Sequence, residues 1–344
     1  MKQKPYPLAI VGCGNVFSRH QSAIENLKNL FQIVSLCDID PEKSSKVDYQ
    51  NYEKMLFFVK DQVNLIVIAT PNYLHYSQAK LAIESGYDVL IEKPVALSSL
   101  ETVSLINLAQ KHHRKALAVL QVRYNPLVKG LKRIVEEGVL GKIRSVSLVQ
   151  RWQRQTNFFK SWRGDFHLSG GLLFEFSIHY LDLLQWLFGL PKVLSASGFN
   201  LKHKKLPYND TIFSSFRFPS GAVGNFEITV AAEPANLECS IHVLGEKGAF
   251  KISGPNLNKF EYCQLLHNSK KIDYLLNQLN KFSFPASDKP SLFHENVYRD
   301  IYFKKGISIS ESLPSVRLIE DVYRHLKITL LPQYFEPPPT VPGY

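Results

Sequence analysis

The segment Leu8-Ala9-Ile10-Val11-Gly12-Cys13-Gly14-Asn15-Val16-Phe17 limits what this chain can fold into more than any other. An apolar run that starts directly after Pro7 reads as a strand buried on both faces, as in parallel sheets. It ends in a Gly-x-Gly turn. Gly12 permits the tight turn and Gly14 a close approach of backbone to a ligand. The segment from Asn15 and Val16 onward then opens a helix whose first amides face an anion. Roughly two dozen residues later a second apolar run, Val34-Ser35-Leu36-Cys37, ends in Asp38. A doubly wound fold places there the carboxylate that receives hydrogen bonds from a ribose diol. Strand, turn, helix, strand and acid in this order predict a dinucleotide site. The third position of the pattern, which normally lets helix and strand pack closely, is Phe17.

The chain has 344 residues, enough for two domains, with 45% hydrophobic and 21% charged residues, the balance of an ordinary soluble protein. No apolar run reaches the roughly 18 residues of a membrane helix, so no membrane partner is expected. The opening Met1–Pro5 is too short for a signal peptide, and Cys13, Cys37, Cys239 and Cys263 show no metal spacing. Reduced thiols, a cytoplasmic location and no metal site are the expectation. A net charge of +11 is spread along the chain without a nucleic-acid-binding signature. It suits solubility or an anionic small molecule, and no nucleic acid.

Apolar runs at Leu8–Val11, Ile33–Cys37, Leu65–Ala69, Asp88–Ile91 and Ala116–Leu120 predict parallel strands. Helical patterns at Ser18–Leu30, Tyr73–Ser85 and Ser98–His112 alternate with them. Ser98 and Glu101 form a capping box, and Gly86 suits a helix end. A dinucleotide-binding domain over residues 1–123 follows. Residues 124–344 change character. Helices are predicted at Pro126–Glu137, Leu172–Leu187, Leu292–Phe303 and Leu313–Leu326, the last with Ser312 as N-cap and Pro314 in its first turn. A long strand, Lys142–Arg154, precedes β runs at Lys192–Phe199, Thr211–Phe218, Ala222–Val230, Leu237–Gly245, Ala249–Ile252 and Phe260–Leu265. This is an α/β class chain: a doubly wound domain, then an open, mostly antiparallel sheet with helices on one face. A proline-rich extension, Pro337–Pro342, ends it.

Three places hold groups able to do chemistry. Thr70-Pro71-Asn72 and His75 follow the third strand, at the sheet edge where open α/β folds bind ligands. They suit the ribose and nicotinamide equally as well as an ordinary turn. Glu92-Lys93-Pro94 follows the fourth strand; Lys93 there can hydrogen-bond a substrate hydroxyl and stabilise a developing alkoxide, and the Lys93–Pro94 bond is a candidate cis bond. Glu175, His179 and Asp182 share one face of an apolar helix that follows Gly170-Gly171. Ionisable groups on a buried helix are costly unless paired or used. His179 suits a general base, or a core histidine bonded to Asp182.

Taken together, these motifs resemble the glucose-fructose oxidoreductase / inositol dehydrogenase / MocA (Gfo/Idh/MocA) family. The likeness rests on Gly12-x-Gly14 with His20, Thr70-Pro71-Asn72 with His75, Glu92-Lys93-Pro94, and the Gly-Gly helix with Glu175, His179 and Asp182. It implies a Rossmann domain, a second α/β domain whose sheet makes homo-oligomer contacts (dimer or tetramer), and nicotinamide-dependent oxidation or reduction of a sugar or polyol hydroxyl. By motif position Lys93 and His179 look like the family's catalytic pair. Glu175 falls where many members carry aspartate, and Ser177 replaces a common glycine. Asp38 favours NAD over NADP, since a carboxylate repels a 2′-phosphate. A narrower likeness, in Phe159-Lys160-Ser161-Trp162-Arg163-Gly164-Asp165, is to dehydrogenases of UDP-N-acetylglucosaminuronic acid. Arg151, Arg154 and Arg163 nearby are candidate partners for its uronate or diphosphate; Arg151 and Arg154 fall on opposite strand faces, and Arg163, just before the Gly-Gly turn, is preferred. Arg123 and Asp182 are the other expected substrate-binding residues. An inositol-type dehydrogenase and a non-catalytic nucleotide- or sugar-sensing regulator are the alternatives.

Overall fold

The computed structural model describes residues 4–43, 47–267, 269–282 and 291–327. It divides into two compact units. The proline-rich extension lies outside the described residues.

In the first unit, strands β1 (Tyr6–Val11), β2 (Phe31–Cys37), β3 (Leu65–Ile68), β4 (Asp88–Ile91) and β5 (Ala116–Ala118) form a parallel sheet in the order β2-β1-β3-β4-β5. The intervening helices are α1 (Phe17–Asn26), α2 (Tyr52–Phe58), α3 (His75–Glu84) and α4 (Ser99–Lys111). Ala9, Val11, Ile66, Ile68, Val89 and Ile91 turn one way, into a core closed by Met55, Ala82, Ile83 and Ile106 from those helices. Leu8, Ile10, Leu65 and Val67 point to the other face and are equally buried. Ser98 accepts the Glu101 amide at 3.1 Å while Glu101 takes the Leu97 amide, so the predicted capping box forms with its return bond one residue earlier. The unit does not end with its sheet. Helix α9 (Ser291–Tyr302) packs on α1, and Asn26 bonds Glu295.

In the second unit a mixed sheet runs in the order β12-β11-β10-β6-β9-β8-β7. Its strands are β6 (Ile143–Arg151), β7 (Lys192–Phe199), β8 (Thr211–Arg217), β9 (Val223–Thr229), β10 (Glu238–Gly245), β11 (Gly248–Ser253) and β12 (Lys259–Leu265). The β6–β9 pair is parallel and the others are antiparallel. Val146, Leu148, Phe226, Ile228, Ile241 and Val243 are buried on one face, whereas Leu194, Phe213, Val223 and Leu244 stand exposed on alternate positions. Helices α5 (Pro126–Glu136) and α8 (Lys270–Lys281) pack together, with Leu279 seated on Gly130.

One local expectation changes. The helix predicted at Leu172–Leu187 is a π-helical turn, Leu173–Ser177, followed by α7 (Ile178–Phe188). Gln150 explains the break: its amide takes the Phe176 carbonyl at 3.2 Å and its oxygen accepts the Ser177 hydroxyl at 2.9 Å. Those bonds draw backbone out of the α ladder. Ser312 lies in a 3₁₀ turn, Ile309–Ser312, its hydroxyl donating to Ile309, and α10 (Leu313–His325) starts from that turn with Pro314 in its first turn.

Candidate active site

At the end of β1, Gly12 takes φ +95° and a Cβ there would lie 2.6 Å from the Ala69 backbone. Its amide donates to Cys37 O at 2.8 Å. The fold itself therefore requires this glycine. Gly14 differs: a Cβ would meet nothing within 4 Å. The next helix, α1, begins after Val16 with no side-chain cap. An open glycine before uncapped amides is the cradle a pyrophosphate needs. The Asp38 carboxylate is fixed beside it by the Cys13 amide (2.7 Å) and the Asp40 amide (2.9 Å). Each oxygen keeps acceptor capacity for a ribose hydroxyl. Burial, reinforced by Asp38, pushes the Cys13 thiol up to about 12 and Cys37 to about 11, so both stay protonated at neutral pH. Phe17 is buried and lines the α1–β2 crevice with Ile24, Phe31 and Leu36, so its bulk is taken up by the helix–strand contact. These residues fit a nicotinamide dinucleotide.

The ends of β3 and β4 are tied to each other. His75 is buried with Nε2 2.8 Å from Thr70 O and Nδ1 2.6 Å from Pro94 O, while the Thr70 hydroxyl donates to Gln78 at 2.6 Å. Burial lowers the His75 pKa. His75 thus clamps the Thr70-Pro71-Asn72 loop to the Glu92-Lys93-Pro94 loop, whose Lys93–Pro94 bond is cis. Glu92 is buried; its Oε1 accepts from His20 Nε2 (3.0 Å) and His294 Nε2 (3.1 Å), and its Oε2 from the Lys93 amide (3.1 Å). Burial pushes this carboxyl up, and the two histidine bonds outweigh it and hold it well below its usual range. His20 Nδ1 in turn accepts from Tyr298 at 2.9 Å. His294 and Tyr298 come from α9, His294 being 202 positions beyond Glu92. Sequence reading missed them, and only their helical spacing of i, i+4 hinted at one face.

In the second unit, every residue from Gly170 to Leu184 is buried except Glu175 and His179. The groups expected at the substrate make bonds within this unit. Arg123 and Asp182, expected to bind substrate, bind each other: Nε–Oδ2 is 2.7 Å and Nη2–Oδ1 2.8 Å, with both residues buried. This fork-to-fork pair braces α7 against the 3₁₀ turn Gln121–Tyr124. Arg163, expected to grip an anion, donates from Nε to Glu175 at 2.9 Å. Its guanidinium also lies 4.4 Å from the Trp162 ring centre. The carboxylate expected in catalysis is therefore held by the arginine expected on substrate.

The Rossmann-fold description of an NAD-binding oxidoreductase family matches residues 7–120, and the Gfo/Idh/MocA C-terminal domain matches residues 128–251. The chain belongs to the Gfo/Idh/MocA family of oxidoreductases. Among solved relatives, the WlbA dehydrogenase of Bordetella pertussis, determined with NADH and UDP-GlcNAcA, superposes with a TM-score of 0.87. It is 25% identical, with 95% of this chain and 97% of that one covered. An oxidoreductase of Synechocystis is 25% identical over 274 residues, 74% of this chain and 73% of its own length. The D-glucoside 3-dehydrogenase of Escherichia coli is 28% identical over 222 residues, 58% of each chain. Alignments with such curated relatives span from 54% to 82% of their length. The N-terminal unit of this family member is its NAD-binding part. Among the described residues no helix is long and apolar enough to cross a membrane.

Proposed function

We propose that this family member is an NAD-dependent dehydrogenase of a sugar hydroxyl, with a nucleotide-sugar acid as its substrate. The observation that carries the proposal is the exposure pattern after Gly170-Gly171. Over residues 170–184 the chain is buried except at Glu175 and His179. A histidine so placed can take a hydroxyl proton at its imidazole. Lys93, partly exposed at the carboxyl edge of β4, supplies an ammonium that stabilises the alkoxide as its proton leaves. The bound nicotinamide supplies the hydride acceptor. Gly14 and the first amides of α1 hold the pyrophosphate, and Asp38 holds the adenosine ribose and disfavours a 2′-phosphate. Thr70, Pro71 and Asn72 line the ribose and nicotinamide. The likeness to the B. pertussis WlbA dehydrogenase supports the sugar acid. The exposed alternate face of the second sheet, including Phe213 and Leu244, supports a homo-oligomer contact, and a cytoplasmic location belongs to the same reading.

The test is turnover. The purified protein with NAD and UDP-N-acetylglucosaminuronic acid should form NADH faster than with myo-inositol. His179→Ala should lower kcat by roughly 10²–10⁴-fold, a general base's usual contribution, with NAD affinity unchanged. Near-normal turnover in that variant removes His179 from the chemistry. Failure of the wild-type protein to reduce NAD with any sugar defeats the reading as a whole.

A further inference from the structure

Alternation along the chain beyond β6 separates two arginines. Arg151 turns to the exposed face of the sheet, where Glu227 (2.6 Å) and Glu238 (3.0 Å) neutralise it. Arg154 turns the other way, toward the segment that carries Glu175 and His179. Its guanidinium carbon lies 5.0 Å from the ring centres of Trp152 and Phe176 and 5.5 Å from that of Phe158. Three aromatic faces hold one cation and fix its plane.

The hydrogen bonds of Arg154 are as telling. Nη1 donates to Gln153 O at 2.6 Å and to Asn236 Oδ1 at 3.1 Å, both neutral. Among the described residues Nε and Nη2 have no acceptor, and no carboxylate lies within ion-pair distance. The nearby acid, Glu175, is taken by Arg163, whose guanidinium shares the Phe158 ring at 5.0 Å. Two guanidiniums and one carboxylate leave a net positive charge on a half-buried aromatic platform. A partly desolvated cation without a counterion is costly. A planar fork with one edge unused fits an oxyanion bidentately.

We propose that Arg154, and not Arg163, is the anion anchor of the substrate site, its Nε–Nη2 edge receiving a carboxylate or phosphate of the sugar substrate. This rests on the dehydrogenase reading above. Asn236 holds the opposite edge of the fork, and the rings hold its plane, so little order is lost when the anion binds.

Calorimetry on the NADH-loaded protein tests it with three probes. UDP-N-acetylglucosaminuronic acid carries both anions, UDP-N-acetylglucosamine only the diphosphate, and glucuronic acid only the carboxylate. Arg154→Gln should weaken the first by about 10–100-fold, the range for a charged hydrogen bond, with NADH affinity unchanged. An equal loss for UDP-N-acetylglucosamine assigns the diphosphate to Arg154; a loss confined to the two uronates assigns the carboxylate. Arg154→Lys keeps a charge over the rings, guards against a glutamine variant that fails to fold, and should still lose at least several-fold because it has no fork. Arg163→Gln should lose less than Arg154→Gln. Wild-type-like affinity for all three probes in both Arg154 variants overturns the anchor. If the wild-type protein still turns over the nucleotide-sugar acid in that case, the dehydrogenase reading survives. Wild-type protein that binds none of the probes yet oxidises a neutral polyol overturns the anchor and the acidic substrate together.

Discussion

In the first unit the residues proposed to face the cofactor are fixed by backbone. Asp38 is held by two main-chain amides, Gly12 by φ and a neighbouring carbonyl, and the phosphate cradle by a helix start without a cap. In the second unit the polar groups are fixed by one another. Arg123 takes Asp182, Arg163 takes Glu175, and Gln150 takes both Ser177 and the Phe176 carbonyl. Backbone geometry is set by residues close in sequence. Side-chain pairs are set by partners from other elements, 12 to 59 positions apart for the two ion pairs.

The sharpest way to break this comparison is to cut one of the pairs. Arg123→Met leaves the Asp182 carboxylate buried without its guanidinium partner, with the Gln185 side-chain amide donating at 3.0 Å. An uncompensated buried carboxylate of this kind costs about 3–5 kcal/mol. Thermal or denaturant unfolding should show that loss, while NAD affinity holds as long as the protein is folded. The double replacement Arg123→Met with Asp182→Leu should recover most of it. A single variant as stable as the parent would return the pair to the role of substrate contact.

A second experiment sets two glycines of one turn against each other. Gly12→Ala meets the Ala69 backbone at 2.6 Å in a left-handed conformation, so it should destabilise the protein, by about 1–3 kcal/mol for the backbone strain alone. Gly14→Ala finds open space, so the melting temperature should stay put. Its methyl group then intrudes only on the ligand, and NAD affinity should fall about tenfold or more, roughly 1.4 kcal/mol. Unchanged NAD binding in Gly14→Ala would mean that the pyrophosphate lies elsewhere.

The same distinction explains what could be read from residues alone. Strand β7 is predicted at its observed bounds, Lys192–Phe199, and β4 at Asp88–Ile91, because turns and apolar runs announce both ends. Cofactor-side features were legible for that reason: a glycine turn and an acid at a strand end are local. Helices α2 and α8 were missed. The first exposes Phe57 and Phe58, which blurs its period, and the second buries only Ile272 and Leu279. Arg154 stood in the sequence as one of three candidate arginines, behind Arg163, since its worth depends on Phe158, Phe176 and Asn236 standing around it. His294 likewise became visible only when α9 returned to α1.

That return gives the smallest and most specific prediction, in the pH dependence of stability. Burial lowers the pKa of His294, with the bond to Glu92 opposing, and burial lowers that of His75 as well. A histidine depressed in the folded state leaves the unfolded chain binding more protons below its ordinary value of 6.5. Its contribution is complete above pH 6.5 and is lost as pH falls from there toward the folded value. Glu92 acts in the same direction at lower pH: its contribution is present above 4.5 and is lost as pH falls through its depressed folded value. Melting temperature should therefore decline in two stages on acidification, histidines first. His294→Gln keeps a donor for Glu92 Oε1 but cannot titrate, so the first stage should be shallower while the second remains. The groups that bear on His294 are Glu92, His20 and Arg19, and none of them is removed by the substitution. Identical decline of the variant and the parent between pH 7 and pH 5.5 would show that the α9 histidine adds nothing to the acid sensitivity of the cofactor unit.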